Sequence, residues 1–591
     1  MPSPFIPAEK KIFFQLKAIG DLETILSYAS FSDYSADLIQ SVLSAASEFA
    51  RDVLAPLNLM GHLTEAHYDN GVVTQPAGFK EAYQMFVQNG WNTLPFPVDK
   101  GGQGLPWLVA FAIQELWQSA NMSFALCPVL NQGAIELMVS HASKDLQAKF
   151  LPKLMTGEWT GTMNLTEPQA GSDVGAVKTQ AVKEGDHYRI KGQKIFISYG
   201  EHSLTENIIH MVLARTPNAA PGTKGLSLFL VPKFLVNEAG QCTERNEIHC
   251  MAIEKKMGLH CSPTAVLSYG DDKGAIGYLM GEEGQGISLM FVMMNNARIS
   301  VGLQGIGIAE RAYQQALDYA KTRIQGKSAK DPKGPSVPII DHIDVRRMLA
   351  EMKTMIDASR GILYLAGHYM DKSFHAPDEA ERQKADAYVQ FLTPIVKVVG
   401  TETGSRVSDL GIQIHGGMGV IQETGAAQYL LDVRVTEIYE GTSGIQAADF
   451  AFRKTARDKG AVAYSFIDDM SNFAHQLKAE PQLSEASQRF ERGISILKKA
   501  VGHVCSSAAE NVDIASAMAM PYLKLWGVSL GSYIHLKQAL AAKDDSNNMF
   551  QAETLSFAAY YGDRFLSEAD TYFIQMEEAS KSLANIPVDF F

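Results

Sequence analysis

Asn164-Leu165-Thr166-Glu167-Pro168-Gln169-Ala170-Gly171-Ser172-Asp173-Val174-Gly175 is the stretch on which the reading of this chain turns. It is a tight turn rich in hydroxyls and free backbone amides, which suits a polar ring edge or a phosphate. A plain hairpin turn has the same composition, so alone it leaves both readings open. Around it, from about Glu158 to Met280, short runs such as His187-Tyr188-Arg189-Ile190, Lys194-Ile195-Phe196-Ile197 and Leu226-Ser227-Leu228-Phe229-Leu230-Val231 are bounded by Gly, Pro and Asn, a β pattern.

Outside that region the period is helical. Toward the N-terminus Ile39, Val42, Leu43, Ala46, Phe49, Ala50 and Val53 recur at helical spacing up to Pro56, and Val109 to Ala120 and Gly133 to His141 read as helices. After Gly286 the helical period returns through Leu289, Ile299, Leu303 and Ile306 to Arg323, and Gly326 to Pro338 is expected to be a loop. Asp341 to Met370 is expected to form a second long helix. Stripes at Phe490, Ile494, Leu497 and Val501, and at Leu555, Ala558, Ala559 and Leu566, extend the pattern. The expected class is α+β multidomain. It comprises a helical N-terminal domain (1–157), a middle β-barrel domain (158–280), a helical bundle domain (281–460) and an additional C-terminal helical domain (461–591).

With 591 residues, 46% hydrophobic and 20% charged, the composition is that of a soluble globular protein with several domains. A net charge of -13 argues against a nucleic-acid partner. The cysteines, Cys127, Cys242, Cys250, Cys261 and Cys505, match neither a disulfide framework nor a zinc ribbon, so no metal site and a reduced, intracellular setting are expected. The start, Met1-Pro2-Ser3-Pro4-Phe5-Ile6-Pro7, lacks the features of a secretory signal. The apolar stretch near Ala515 to Ile534 contains Pro521 and Lys524 and fits a buried helix, so no integral membrane segment is expected.

Ile438-Tyr439-Glu440-Gly441-Thr442-Ser443 places one carboxylate in an apolar, glycine-flanked turn after Asp432-Val433-Arg434. Burial beside Tyr439 and Ile438 would raise the pKa of Glu440 and make it a candidate general base, although a loop Glu that caps a helix or pairs with an Arg reads the same.

Further motifs join these. Asn164 to Gly175 resembles the flavin-contacting loop of the acyl-CoA dehydrogenase family, T-E-P-x-A-G-S-D. Gly192-Gln193-Lys194-Ile195-Phe196-Ile197-Ser198 takes the place of its G-x-K-x-[WF]-I-[ST] strand, Gln413-Ile414-His415-Gly416-Gly417-Met418-Gly419 that of its Q-x-x-G-G-x-G turn, and Ile438 to Thr442 that of its catalytic I-Y-E-G-T. The match covers about Ala36 to Arg453. Trp159 to Thr166, Ile197 to His202, Glu206 to His210 and the extra C-terminal helices resemble the long bacterial branch that includes 3-methylmercaptopropionyl-CoA dehydrogenase and related fatty acyl-CoA dehydrogenases.

The resemblance implies FAD-dependent α,β-dehydrogenation of an acyl-CoA to a trans-2-enoyl-CoA, of the fatty acid β-oxidation type. Glu440 would be the base, and electrons would pass to an electron-transferring flavoprotein. Met163, Leu165, Thr166, Ser172, Phe196, Ser198 and Thr442 take the places of flavin contacts, with Phe196 covering the ring where many members have Trp. A core strand residue would read the same. Arg323 is implied to reach the FAD pyrophosphate of a neighbouring subunit, and Gln413, Gly416 and Gly417 the adenosine portion. Ser172, Asn295, Arg298, Tyr439 and Gly441 are the implied acyl-CoA contacts. An interhelical salt bridge remains open for Arg298, and a packed ring for Tyr439. Candidates for the acyl pocket floor lie near Leu126 to Ile135 and Met290 to Met294. A homodimer and a cytoplasmic location are expected.

There are departures from the family pattern. Arg323-Ile324-Gln325-Gly326 lacks the R-x-x-F-G aromatic, and Gly444 stands where many members carry Gln or Glu. His415 is expected to be structural. An acyl-CoA oxidase using O2 stays a rival, as does a nonenzymatic acyl-CoA or flavin-binding protein, which should lack the base. Gly302, Gly305 and Gly307 continue a helix rather than follow a strand, so they favour close helix packing over a nicotinamide-binding turn.

Overall fold

The computed structural model describes residues 3–543 and 545–591, leaving aside the side chains of 291–293. Met1 and Pro2 of the proline-rich start, and those three pocket-floor candidates, therefore lie outside the described residues. The chain falls into two compact units: residues 48–106 with 120–297, and residues 1–47 with 107–119 and 298–591. The α+β class is borne out, with helices at both ends of a middle sheet domain.

The sheet has eight strands: β1 (Trp159–Asn164), β2 (Gln180–Glu184), β3 (His187–Ser198), β4 (Asn207–Arg215), β5 (Leu226–Pro232), β6 (Ile248–Ile253), β7 (Thr264–Tyr269) and β8 (Ala275–Met280). It closes on itself through β3, β8, β5, β4 and β2, the last link being the single pair Gln180↔Arg215. β4 and β5 read as near-continuous apolar runs because both faces are covered, whereas β2 buries only Ala181 and turns its other side chains to the outside. Val212, Phe229, Ile190, Tyr188 and Leu267 fill the interior. His187-Tyr188-Arg189-Ile190 and Lys194-Ile195-Phe196-Ile197, two runs in the sequence, are one long strand whose beginning pairs with β2 and β8 and whose end pairs with β7.

Three expectations shift. Pro56 opens a helix, Pro56–Thr64, rather than closing one, because the first turn needs no amide donor there. The runs Val109 to Ala120 and Gly133 to His141 belong to α1 (Trp107–His141), interrupted only at Asn121, whose backbone is extended and whose Oδ1 accepts the Phe124 amide at 3.0 Å. Among the described residues α1 is the one helix long and apolar enough to cross a membrane, and 72% of its most apolar window is buried. Gly326 to Pro338 is not wholly loop: Ile324–Lys327 pairs with Ser336–Pro338 as a hairpin after Arg323.

The C-terminal unit is built on long helices: α2 (Gly286–Thr322), α3 (Ile343–His375) and α4 (Glu379–His415), followed by the short α5 (Ser443–Ala448) and by α6 (Ala461–Leu477), α7 (Ser484–Glu510), α8 (Val512–Ala541) and α9 (Asn548–Arg564). A Cβ on Gly302 would stand 2.5 Å from Val396 O, and one on Gly305 2.2 Å from Gly400 O, so the glycine run serves close packing of α2 on α4, as expected. Arg360 of α3, fully buried, meets Glu115 at 2.6 Å and Glu310 at 2.8 Å, which satisfies a charge that would otherwise be costly in the core. Phe391 of α4 packs against Trp526 of α8 and Phe450, each at 4.9 Å, and this cluster joins the added helices to the bundle. The apolar stretch near Ala515 to Ile534 is part of the mostly buried α8.

Candidate active site

The turn that carries Glu440 is set by its backbone. The Ile438 and Tyr439 amides both donate to Val435 O, at 2.9 and 3.1 Å, and finish the preceding helical turn. Glu440 then adopts a left-handed backbone, φ 54°, and Gly441 continues it at φ 87°. A non-glycine residue held there stores strain of ~1–3 kcal/mol, an arrangement that clusters at functional sites. Gln446 Nε2 fixes the turn by donating to Glu440 O at 3.1 Å, and Thr442 caps α5 by accepting the Ile445 amide at 3.2 Å. The Glu440 amide donates to no acceptor among the described residues.

Glu440 is partly accessible, as a group that meets a substrate must be, yet the protein packed around it raises its pKa. Burial is the largest cause, and Arg298 of α2 and Lys397 of α4 oppose it. Ile438 is not part of the apolar wall, being 53% exposed. The Tyr439 hydroxyl donates to the buried Gln304 Oε1, which orients its ring. Arg298 faces Glu440 electrostatically, and its Nε has no hydrogen-bond partner among the described residues.

The other unit carries the Asn164 to Gly175 turn. Glu167 is its anchor: Oε1 accepts Lys194 Nζ at 2.8 Å, Thr179 Oγ1 at 2.6 Å and the Thr179 amide at 3.0 Å, while Oε2 accepts the Lys178 amide at 2.7 Å and Gln169 Nε2 at 2.6 Å. These donors, with Lys194 first among them, overcome burial and pull Glu167 down to about 2. Lys194 also donates to Leu165 O at 3.0 Å, and the Ile195 amide to Thr166 O at 3.0 Å, which fixes the turn against β3. Met163, Leu165 and Thr166 are half-buried, and Ser172 is exposed. Phe196 is no core strand residue: it is 59% exposed with φ 59°, so the strand is strained to turn an aromatic face outward. Two residues on, Ser198 O accepts Thr162 Oγ1 at 2.7 Å. Asn295 is half-buried, and its neighbour Asn296 donates to Glu136 at 2.9 Å.

Arg323 is exposed just past the end of α2, and Gln413 is exposed in the last turn of α4. Beyond it Gly416 takes φ 58°, and a Cβ on Gly416 or Gly417 would meet nothing within 4 Å, so the backbone is open to a close-lying group. His415 is buried, donates Nδ1–H to Gly411 O at 2.7 Å and stacks on Tyr319 at 4.5 Å, the structural role expected of it. Within its unit the structure thus gathers Arg298, Tyr439, Glu440, Gly441 and Thr442 around one turn. Sequence reasoning assigned no role to Gln304 or Lys397. The lone Lys within Ile395-Val396-Lys397-Val398-Val399 was the available signal for the latter.

Four family models match in order: Acyl-CoA dehydrogenase, N-terminal domain, over residues 39–158; the middle domain over 162–271; the C-terminal domain over 284–454; and Acetyl-CoA dehydrogenase C-terminal like over 466–587. The chain is 42% identical over 562 residues to the 3-methylmercaptopropionyl-CoA dehydrogenase of Ruegeria pomeroyi, covering 95% of each. It is 35% identical over 572 residues to a butyryl-CoA dehydrogenase of Syntrophomonas wolfei, covering 93% of each. The acyl-CoA dehydrogenase of Bacillus anthracis solved in complex with FAD has the same fold, with a TM-score of 0.75 at 20% identity over 94% of this chain and 90% of that one.

Proposed function

This chain belongs to the acyl-CoA dehydrogenase family, and we propose that it converts a short-chain acyl-CoA thioester to the trans-2-enoyl-CoA with Glu440 as the base and FAD as its cofactor. The observation that carries this is Glu440 itself: a partly accessible carboxylate of raised pKa on a left-handed turn, whose own amide has no acceptor among the described residues. A raised pKa suits a base that must take and hold a proton. The free amide is a donor available to the charge that grows on the thioester oxygen as the α-proton leaves.

The residues fit a flavin. Phe196 offers an exposed aromatic face, Thr166 and Ser198 offer hydroxyls on β3 and its neighbouring turn, and Gly416 and Gly417 leave backbone open to a pyrophosphate or ribose. Met163, Leu165, Ser172, Gln413 and Thr442 complete the proposed set, with Arg323 reaching the pyrophosphate of a second subunit in a homodimer. FAD, when bound, supplies the hydride acceptor. Glu440 takes the α-proton, Tyr439, held by Gln304, borders the thioester, and Ser172, Asn295, Arg298 and Gly441 contact the acyl-CoA. Electrons then leave to an electron-transferring flavoprotein, in cytoplasmic β-oxidation. The relatives named for butyryl-CoA and 3-methylmercaptopropionyl-CoA support a short acyl group.

Anaerobic mixing of the flavin-loaded protein with butyryl-CoA, 3-methylmercaptopropionyl-CoA and longer acyl-CoAs tests this. Flavin bleaching that is fast in wild type and lost in Glu440→Gln is expected, with the short thioesters fastest. Bleaching that survives in Glu440→Gln would refute the base, and rapid reoxidation of the reduced protein by O2 alone would make it an oxidase.

A further inference from the structure

Lys397 lies in the middle of α4, its side chain fully buried, and its Nζ has no hydrogen-bond partner among the described residues. An unpaired buried ammonium is among the costlier arrangements a protein can hold, so its position needs a reason. Burial draws its pKa down to about 8, while Glu440 and Glu437 hold it up.

The carboxylates around it are not equivalent. Glu437 is paired with Arg434 at 3.3 Å and accepts Ser405 Oγ. Glu402, further along α4, is paired with Lys524 at 3.4 Å. The carboxyl of Glu440 makes no ion pair or hydrogen bond with a described residue, and the cations that face it are Lys397 and Arg298. The Gly302–Val396 contact packs α2 against α4 near both cations, Arg298 lying one turn before Gly302 on α2 and Lys397 next to Val396 on α4.

We infer that Lys397 is a positioning residue for the base: its ammonium, held away from any direct partner, keeps Glu440 ionised and its lone pairs free to take the substrate's α-proton. The inference rests on the reading of Glu440 as the base. Burial alone favours the protonated form of that carboxyl. A direct salt bridge would ionise it but engage the lone pair that must accept the proton. A cation that acts through space does the first without the second, and an orphaned buried lysine is what such a device requires.

The test compares wild type with Lys397→Met, which keeps length and removes charge, Lys397→Gln, a neutral polar form, and Lys397→Arg, which keeps charge. Infrared titration of the Glu440 carboxyl, assigned by the band lost in Glu440→Gln, reads protonation without turnover. The neutral variants are expected to protonate Glu440 at higher pH than wild type. They should also turn over on the order of tenfold more slowly at a pH below the titration of Glu440 in those variants. That deficit should shrink as pH rises, and Lys397→Arg should retain the wild-type profile. Because an unpaired buried charge has been removed, Lys397→Met should melt no lower than wild type. Coincident titration of Glu440 in wild type and both neutral variants, with Glu440→Gln inactive, overturns the inference and leaves the base reading intact. Turnover that persists in Glu440→Gln overturns the base reading itself. Loss that is equal at every pH, or neutral variants that melt lower or fail to fold, make Lys397 a structural residue and also overturn the inference.

Discussion

Replacing Glu167 by Gln should free the turn that presents Thr166 and Ser172. The amide can offer one oxygen to one side of the present ring of donors, but its NH2 must then face either Lys194 Nζ and the Thr179 amide or the Lys178 amide, none of which accepts, unless the Thr179 hydroxyl or the Gln169 side chain turns its oxygen toward it. Lys194, buried and already drawn down to about 8 by burial, would lose the carboxylate that holds its charge and keep Leu165 O as its remaining acceptor. Removing one partner of a buried ion pair costs ~3–5 kcal/mol, much of it the penalty of the charge left behind. Even the lower figure changes the opening equilibrium of the turn by more than about a hundredfold. Hydrogen exchange of the Lys178, Thr179 and Ile195 amides measures this directly, because the first two donate to Glu167 and the third to Thr166 O. Their protection should fall by about two powers of ten, FAD occupancy should fall with it, and Glu167→Gln with Lys194→Met should recover most of both, since the stranded charge is gone. Protection retained within about threefold of wild type, under ~1 kcal/mol, would refute the argument. The pH dependence has a definite sign. Glu167 is held below its ordinary value of 4.5, at about 2, so its contribution is complete above 4.5 and is lost as pH falls through 2.

The close contact of α2 with α4 predicts that Gly305→Ala, whose Cβ would stand 2.2 Å from a backbone oxygen, lowers the Tm and the folded yield, whereas Gly417→Ala, which meets nothing within 4 Å, leaves the Tm unchanged. Phe196→Gly should change stability by less than about 1 kcal/mol, because relief of the left-handed strain offsets glycine's entropy, yet it should weaken flavin binding measured by fluorescence. Arg360→Lys should cost about 3 kcal/mol or more in denaturant unfolding, since one ammonium cannot serve Glu115, Glu310 and Asp357 together.

Much of the architecture is legible in the sequence, and for identifiable reasons. β4 and β5 are apolar on both faces, so the middle domain is marked by composition as well as by period. The stripe of α7 places Phe490, Leu497 and Val501 in the core, as its spacing requires. What escapes a linear reading is pairing between distant segments. Nothing local to Gly326 to Pro338 shows that Lys327 lies opposite Ser336, and Pro56 could close one helix or open the next until the run after it is seen to be helical. At the candidate site, Glu440, Tyr439 and Arg298 are readable one by one. Their association is not, because α2 and the Glu440 turn are brought together by α4, and the glycines that permit it carry no chemistry of their own.

Three positions where local rules fail belong to the proposed chemistry, while others, such as Glu65, Leu259 and Lys459, hold backbone of positive φ elsewhere. Phe196 at φ 59° and Glu440 at φ 54° hold backbone that glycine would take without strain, and Lys397 buries a charge that a Met or Leu would replace at a gain. Each departure costs stability and each has a distinct physical consequence. The first turns an aromatic face outward from a strand, the second separates a carboxyl from the helix behind it and frees its amide, and the third opposes the burial that would protonate that carboxyl. Stability alone would remove all three, so their presence together in one chain is better explained by a reaction that needs an exposed aromatic face, a free donor and an ionised base. A chain with the same fold kept only to bind would gain by relaxing them, and that is why the neutral Lys397 variants should be at least as stable as wild type while being poorer catalysts below the titration of Glu440.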